Sequence, residues 1–185
     1  MSRKGIILLA ALFGAVFLLL AVAGRGYREV EAMQSLEKAT AAVRREHPGA
    51  SPIPPALLAG RLENDPAGVV LIDARDPEEY GLSRLAGAVC LGTRREIEEH
   101  FVGDPPDPGS LLVVYDSVGF RSAKLVEEIA ASGLPPAVYL DGGIFAWANE
   151  GRPLVDEAGE PTEKVHPFNK LWGRLLEPAA RPAER

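Results

Sequence analysis

The chain has 185 residues, room for one ordinary domain with extensions, and its 46% apolar, 25% charged composition excludes a low-complexity or disulfide-scaffold protein. A net charge of −6 and an isoelectric point near 5.2 leave no basic stripe to release counterions, which excludes nucleic acid as a partner. The single Cys90 permits neither an internal disulfide nor a cysteine zinc site, and His47, His100 and His166 have no ligand spacing, so no metal and no cofactor are expected.

A basic tail, residues 1–4, precedes a run from 5 to 24 that contains no charged or strongly polar side chain. Twenty such residues suffice to cross a hydrocarbon core as a helix. Twelve of them are Leu, Ile, Val or Phe, each favouring insertion by roughly 0.3–0.6 kcal/mol. A buried core helix is a poor alternative because no face is polar. Two export readings stay open. The length favours a retained transmembrane anchor, while Ala21-Val22-Ala23 fits cleavage of a signal peptide after Ala23. Arg3 and Lys4 argue for a cytoplasmic N-terminus, and Arg25, Arg28, Lys38, Arg44 and Arg45 pull the other way. Both export routes place the body outside the cytoplasm, so an exocytoplasmic, periplasmic domain is expected, with a cytoplasm-facing domain as the alternative.

Residues 25–50 read as a helical spacer: 27–47 is charged and helix-favouring, with an incomplete apolar stripe of Val30, Met33, Leu36 and Val43, and Pro48-Gly49 closes it. Beyond it, a domain over residues 51–155 alternates short apolar runs with helical stretches. Helices are predicted at 55–63, 93–100 and 122–132, and strands at 69–72, 88–91, 111–115 and 137–140. That alternation implies an α/β fold with a mostly parallel central sheet and helices on both faces, a three-layer domain. From 156 to 185 the chain is a polar tail whose last residues, 177–182, are expected to be disordered. Inside the tail, Phe168, Leu171, Trp172, Leu175 and Leu176 have the spacing of a short amphipathic helix over 168–176. Such a helix docks on its own domain or meets a protein partner or a membrane surface.

The most telling segment follows the 111–115 strand. Asp116, Ser117, Val118, Gly119, Phe120 and Arg121 form a six-residue turn into a helix beginning at Ser122. A tight turn entering a helix aims several backbone N–H groups at one point, where the helix dipole adds positive potential. The result is a cradle for an anion or an anionic nucleophile.

This turn resembles the active-site loop of the rhodanese family, and three further stretches do so in the family's order. Leu71-Ile72-Asp73-Ala74-Arg75 with Asp76-Pro77-Glu78-Glu79-Tyr80 is similar to its first signature. Leu85-Ala86-Gly87-Ala88 is similar to the turn before its next strand, with Arg84 where a His is usual. Asp141-Gly142-Gly143-Ile144-Phe145-Ala146-Trp147 is similar to its closing signature. Asp73 and Arg75 are expected to hold loops together, Gly142 and Gly143 to allow a close turn, and Trp147 to pack in the core. The six-residue loop implies the sulfurtransferase branch; the phosphatase and arsenate-reductase branch carries one residue more.

By that resemblance, the first loop position carries a Cys that holds sulfur as a persulfide. Here it is Asp116. A carboxylate is a hard, weak nucleophile towards sulfur and stores no persulfide, whereas a thiolate does both. Asp116 is expected to accept the loop's N–H groups itself and, with an inward Arg121, to form a charge-assisted pair. Cys90 as a displaced nucleophile fits poorly with its apolar strand setting. Asp116 as a phosphoryl acceptor lacks the usual second Asp, since Val118 stands there. The sequence therefore reads as a membrane-tethered domain of this family without catalysis, binding a protein or an anion. The alternative is a sulfurtransferase with a non-standard nucleophile.

Overall fold

The computed structural model describes residues 34–131 and 134–183. The apolar run 5–24 and its flanks lie outside the described residues, among which no helix is long and apolar enough to cross a membrane.

Five strands form a sheet in the order β1-β5-β4-β2-β3, every pair parallel. They are β1 (Pro52–Ile53), β2 (Val69–Asp73), β3 (Val89–Cys90), β4 (Leu111–Tyr115) and β5 (Ala137–Leu140). The central β4 is apolar throughout, as a strand covered on both faces must be. Period-two alternation then sorts its side chains. Val113 and Tyr115 join one apolar cluster with Leu71, while Leu112 and Val114 join the other with Ile72.

The helices follow from that sorting. α2 (Pro55–Asn64) and α6 (Gly143–Asn149) supply Leu58, Ile144, Phe145 and Trp147 to the first cluster. α4 (Arg94–His100) and α5 (Phe120–Ile129) supply Ile97, Ala123, Leu125, Val126 and Ile129 to the second. The expected three-layer α/β arrangement is present. A short α3 (Pro77–Leu82) follows β2, and a hairpin of β6 (Leu154–Val155) and β7 (Pro161–Thr162) follows α6.

Three expectations need correction. The first helix, α1 (Leu36–Glu46), is no free spacer: Ser35 caps it by accepting from the Lys38 N–H at 3.2 Å, and Ala39, Ala42 and Val43 are buried in the domain. Its apolar stripe is complete once the small alanines are counted. The amphipathic helix over 168–176 does not form. Only a 3-10 turn, Trp172–Leu175, is helical, because Pro167 precedes the stripe and Gly173 interrupts it. Asn169 also takes the Leu171 and Trp172 N–H groups with its side-chain oxygen, at 2.9 and 3.1 Å. Finally, the stretch 177–182 is docked rather than disordered. A second 3-10 turn, Pro178–Ala180, is docked through a bond from the Val165 N–H to the Ala180 carbonyl at 2.9 Å, with Val165 and Ala180 both buried.

Candidate functional site

The site lies at the C-terminal ends of β2 and β4, adjacent strands whose last residues, Asp73 and Tyr115, are in register. Chain leaving parallel strands at this end turns back into helices, so loops and helix N-termini collect there. This is the usual ligand position in open α/β sheets.

The turn after β4 is shorter than its sequence suggests. α5 begins at Phe120 rather than Ser122, with Gly119 as its N-cap at φ +123°. A left-handed backbone there is available to Gly and strained for other residues. It lets the chain enter the helix two residues early, so Phe120 and Arg121 lie in the first helical turn.

Asp116 is almost wholly buried and accepts three hydrogen bonds from its own loop. The Gly119 N–H donates to Oδ1 at 2.6 Å and the Ser122 hydroxyl to the same oxygen at 2.8 Å. The Arg121 N–H donates to Oδ2 at 3.1 Å. The Arg121 guanidinium completes this shell, its Nε 3.8 Å from Oδ2. The carboxylate thus sits where the loop's donors converge. Val118 is buried among apolar neighbours below.

Arg121 spans a second carboxylate. Its Nη2 donates to Glu79 Oε2 at 2.9 Å, and Nη1 lies 3.5 Å from Asp76 Oδ2. Glu79 Oε1 accepts from the Ser117 hydroxyl at 3.0 Å. Burial pushes the Glu79 carboxyl up, but the Arg121 charge and these hydrogen bonds outweigh it and hold the group below its ordinary range. Burial likewise disfavours the Arg121 charge, and Asp116, Glu79 and Asp76 together more than reverse that. Glu79 has two tasks that its place in the first signature does not reveal. It does reach back to the Asp76 N–H at 3.2 Å, as a helix-capping Glu does, yet its other oxygen serves the loop 38 residues away. A capping-box Glu beside an Arg-bearing loop is the signal that could have found it.

The loop's backbone is held from α6. Ile144 and Phe145 N–H groups donate to the Asp116 and Ser117 carbonyls at 2.9 and 3.1 Å. A Cβ on Gly143 would lie 2.3 Å from the Asp116 carbonyl oxygen, so no larger residue fits. Gly142 and Gly143 both have positive φ, which gives the paired glycines their physical reason. Trp147 is buried, its indole N–H donating to the Pro153 carbonyl at 2.9 Å.

The neighbouring β2 end holds a second ion pair, closed to solvent. Arg75 Nε and Nη2 donate to Asp73 Oδ1 and Oδ2 at 2.9 and 2.6 Å, and both side chains have no exposed surface. Arg75 Nη2 also donates to the Ser83 carbonyl at 2.6 Å, tying the β2 end to the chain after α3. Burial disfavours the Arg75 charge, and Asp73 more than restores it. Cys90 is elsewhere. It faces Asp73 on edge strand β3, two strands from β4, or roughly 10 Å of sheet. Burial first, and the Asp73 charge next, push its thiol up, away from the thiolate form.

The structure is thus a five-stranded parallel α/β domain with an N–H cradle after β4. The model of the rhodanese-like domain family matches residues 55–150, and the chain belongs to that family. An uncharacterized protein of Synechocystis is 25% identical over 108 residues, covering 58% of this chain and 59% of that protein. A probable adenylyltransferase/sulfurtransferase of Mycobacterium tuberculosis, MoeZ, is 32% identical over 85 residues, covering 46% of this chain and 21% of that protein. The chain thus spans less than two thirds of the length of these curated relatives. Among solved structures, a thiosulfate sulfurtransferase from Pseudomonas aeruginosa shares the fold with a TM-score of 0.55 at 22% identity, over 64% of this chain and 22% of that one.

Proposed function

We propose that this chain is a rhodanese-like domain that has given up sulfur transfer and acts as a binding module, held at a membrane by residues 5–24 with the domain outside the cytoplasm. The observation that carries the reading is Asp116. Its carboxylate takes the Gly119 and Arg121 N–H groups and the Ser122 hydroxyl, the donors that would otherwise stabilise a thiolate and its bound sulfur. The loop is therefore self-occupied. A ligand enters either by displacing Asp116, as an anion would, or by docking on the surface around Arg121, as a protein partner would.

The similarity to proteins named as sulfurtransferases supports the ancestry of the domain, and the hard carboxylate at position 116 supports the loss of that reaction here. Cys90, the alternative nucleophile, sits two strands away, and burial and the Asp73 charge push its thiol up, disfavouring the thiolate. Assay of the full chain with thiosulfate and cyanide is expected to give no turnover above background. Turnover that survives Cys90→Ala would refute the reading, and turnover lost in that variant would move the chemistry to Cys90. For the tether, the full chain is expected to resist alkaline carbonate extraction and to be digested by protease added to spheroplasts. A soluble product beginning at Gly24 would replace the anchor by a cleaved signal, and protection until lysis would place the domain in the cytoplasm.

A further inference from the structure

The family match ends at residue 150, yet the loop is closed in by segments on either side of that match. From the N-terminal side, α1 brings Val43 against the loop's turn: a Cβ on Gly119 would lie 3.4 Å from both Val43 methyls. From the C-terminal side, the tail crosses the start of α5. The Trp172 ring meets the Phe120 ring edge-on at 5.9 Å between centroids, and the Phe168 ring lies over the Arg121 guanidinium at 5.4 Å. Phe168, Arg121 and Asp116 are thus layered from solvent inward.

Phe168 is held in an unusual way. Its φ of +60° makes it the non-glycine residue with a left-handed backbone among those described, a conformation that costs an aromatic residue free energy. A local network sustains it: the Phe168 N–H donates to His166 Nδ1 at 3.2 Å, and the Asn169 N–H to the Pro167 carbonyl at 2.6 Å. The ring gains little by burial, since 47% of the residue remains exposed. A strained backbone that delivers a half-exposed ring onto one guanidinium is accounted for by that contact, and a cation–π pair is its physical content.

We propose that residues 167–172 are a strap across the mouth of the loop, with Phe168 as the gate: its ring holds Arg121 down over Asp116 and closes position 116 to solvent. The proposal rests on the reading of 116–121 as the functional loop, and deepens it by naming what controls access to that loop. Opening the strap removes one of the contacts that hold Arg121 against Asp116, Glu79 and Asp76, so that an anion competes better with Asp116 for the N–H cradle. Release is local because the buried Leu175, Leu176 and Ala180 keep the rest of the tail docked.

The test uses the full chain with Cys90→Ala and Asp116→Cys, so that position 116 carries the sole thiol, and measures the rate of alkylation by iodoacetamide. Adding Phe168→Ala is expected to raise that rate about two- to fivefold, the change that loss of a half-exposed cation–π contact gives. Phe168→Gly serves as the second variant, because glycine adopts the +60° backbone without strain and removes the ring without endangering the fold. In the chain with native Asp116, Phe168→Gly is also expected to speed hydrogen exchange at the Gly119 and Arg121 amides. Alkylation and exchange unchanged in both variants would overturn the gate. Thiosulfate turnover by the unaltered chain would retire the pseudo-enzyme reading and leave the gate untouched, so the two failures are distinguishable.

Discussion

Two carboxylate–arginine pairs stand at the ends of adjacent strands, and they are built to opposite ends. At the end of β2, Asp73 and Arg75 meet in a bidentate pair with both side chains fully buried. At the end of β4, Asp116 is buried while the side chain of Arg121 keeps 35% of its surface, shared among Asp116, Glu79 and Asp76. The first pair is a lock: its guanidinium, bonded also to the Ser83 carbonyl, has no exposed surface to offer a ligand. The second is a junction, in which one cation balances three anions and faces solvent. Similar chemistry gives a structural brace in one case and a candidate ligand site in the other, and exposure of the arginine is what separates them.

The comparison breaks most visibly at the lock. Arg75→Ala leaves the Asp73 carboxylate buried without its cation, which costs about 3–5 kcal/mol. Urea unfolding should show the variant close to the limit of folding, and a loss below 1 kcal/mol would mean that the pair is not the brace described. Asp116→Ala is expected to cost less, about 1–3 kcal/mol, because the three freed donors lie near a solvent-facing side chain and the loop keeps its two main-chain bonds from α6. Equal losses in the two variants would erase the distinction between lock and junction.

The smallest and most specific effect is in the pH dependence. Glu79 has a folded-state pKa below its ordinary 4.5, so the stability it contributes is fully present above that value and lost as pH falls through the lower folded value. Urea midpoints measured from pH 7 down to pH 3 should therefore fall in the acid range, and Glu79→Gln should lessen that fall while lowering the midpoint at neutral pH. An unaltered acid slope in Glu79→Gln would place the acid sensitivity in another carboxylate and detach Glu79 from the junction.

Strands β4 and β5 were legible to the residue, because five and four apolar residues bounded by Ser110, Asp116, Pro136 and Asp141 leave little choice of register. The family pattern drew attention to Asp73 with Arg75, to the paired glycines and to Trp147, and the structure pairs the first two and buries the last. The tail was not. Its apolar spacing was real, but Phe168 and Leu171 point outward at 47% and 49% exposure while Leu175 and Leu176 turn inward. Periodicity cannot see that a proline and a glycine have split one stripe into two. Nor could composition reveal the bond from Val165 to Ala180, since a docking contact between two polar-looking stretches leaves no mark in either. The loop's anion was expected from Asp116 alone; that Glu79 shares Arg121 depends on α3 lying beside α5, a fact of three dimensions.

The two hydrogen bonds from α6 to the Asp116 and Ser117 carbonyls carry a consequence for engineering. They hold the loop's curvature through main-chain atoms that every residue possesses, so the path of the chain has a support that does not pass through the Asp116 carboxylate. Position 116 is in that sense an interchangeable cartridge in a fixed housing. A designer could load it with a thiol, an amide or a carboxylate and change the chemistry on offer without rebuilding the support. Gly143 is the part of the housing that must not be altered, because any side chain there would push the cartridge out of line.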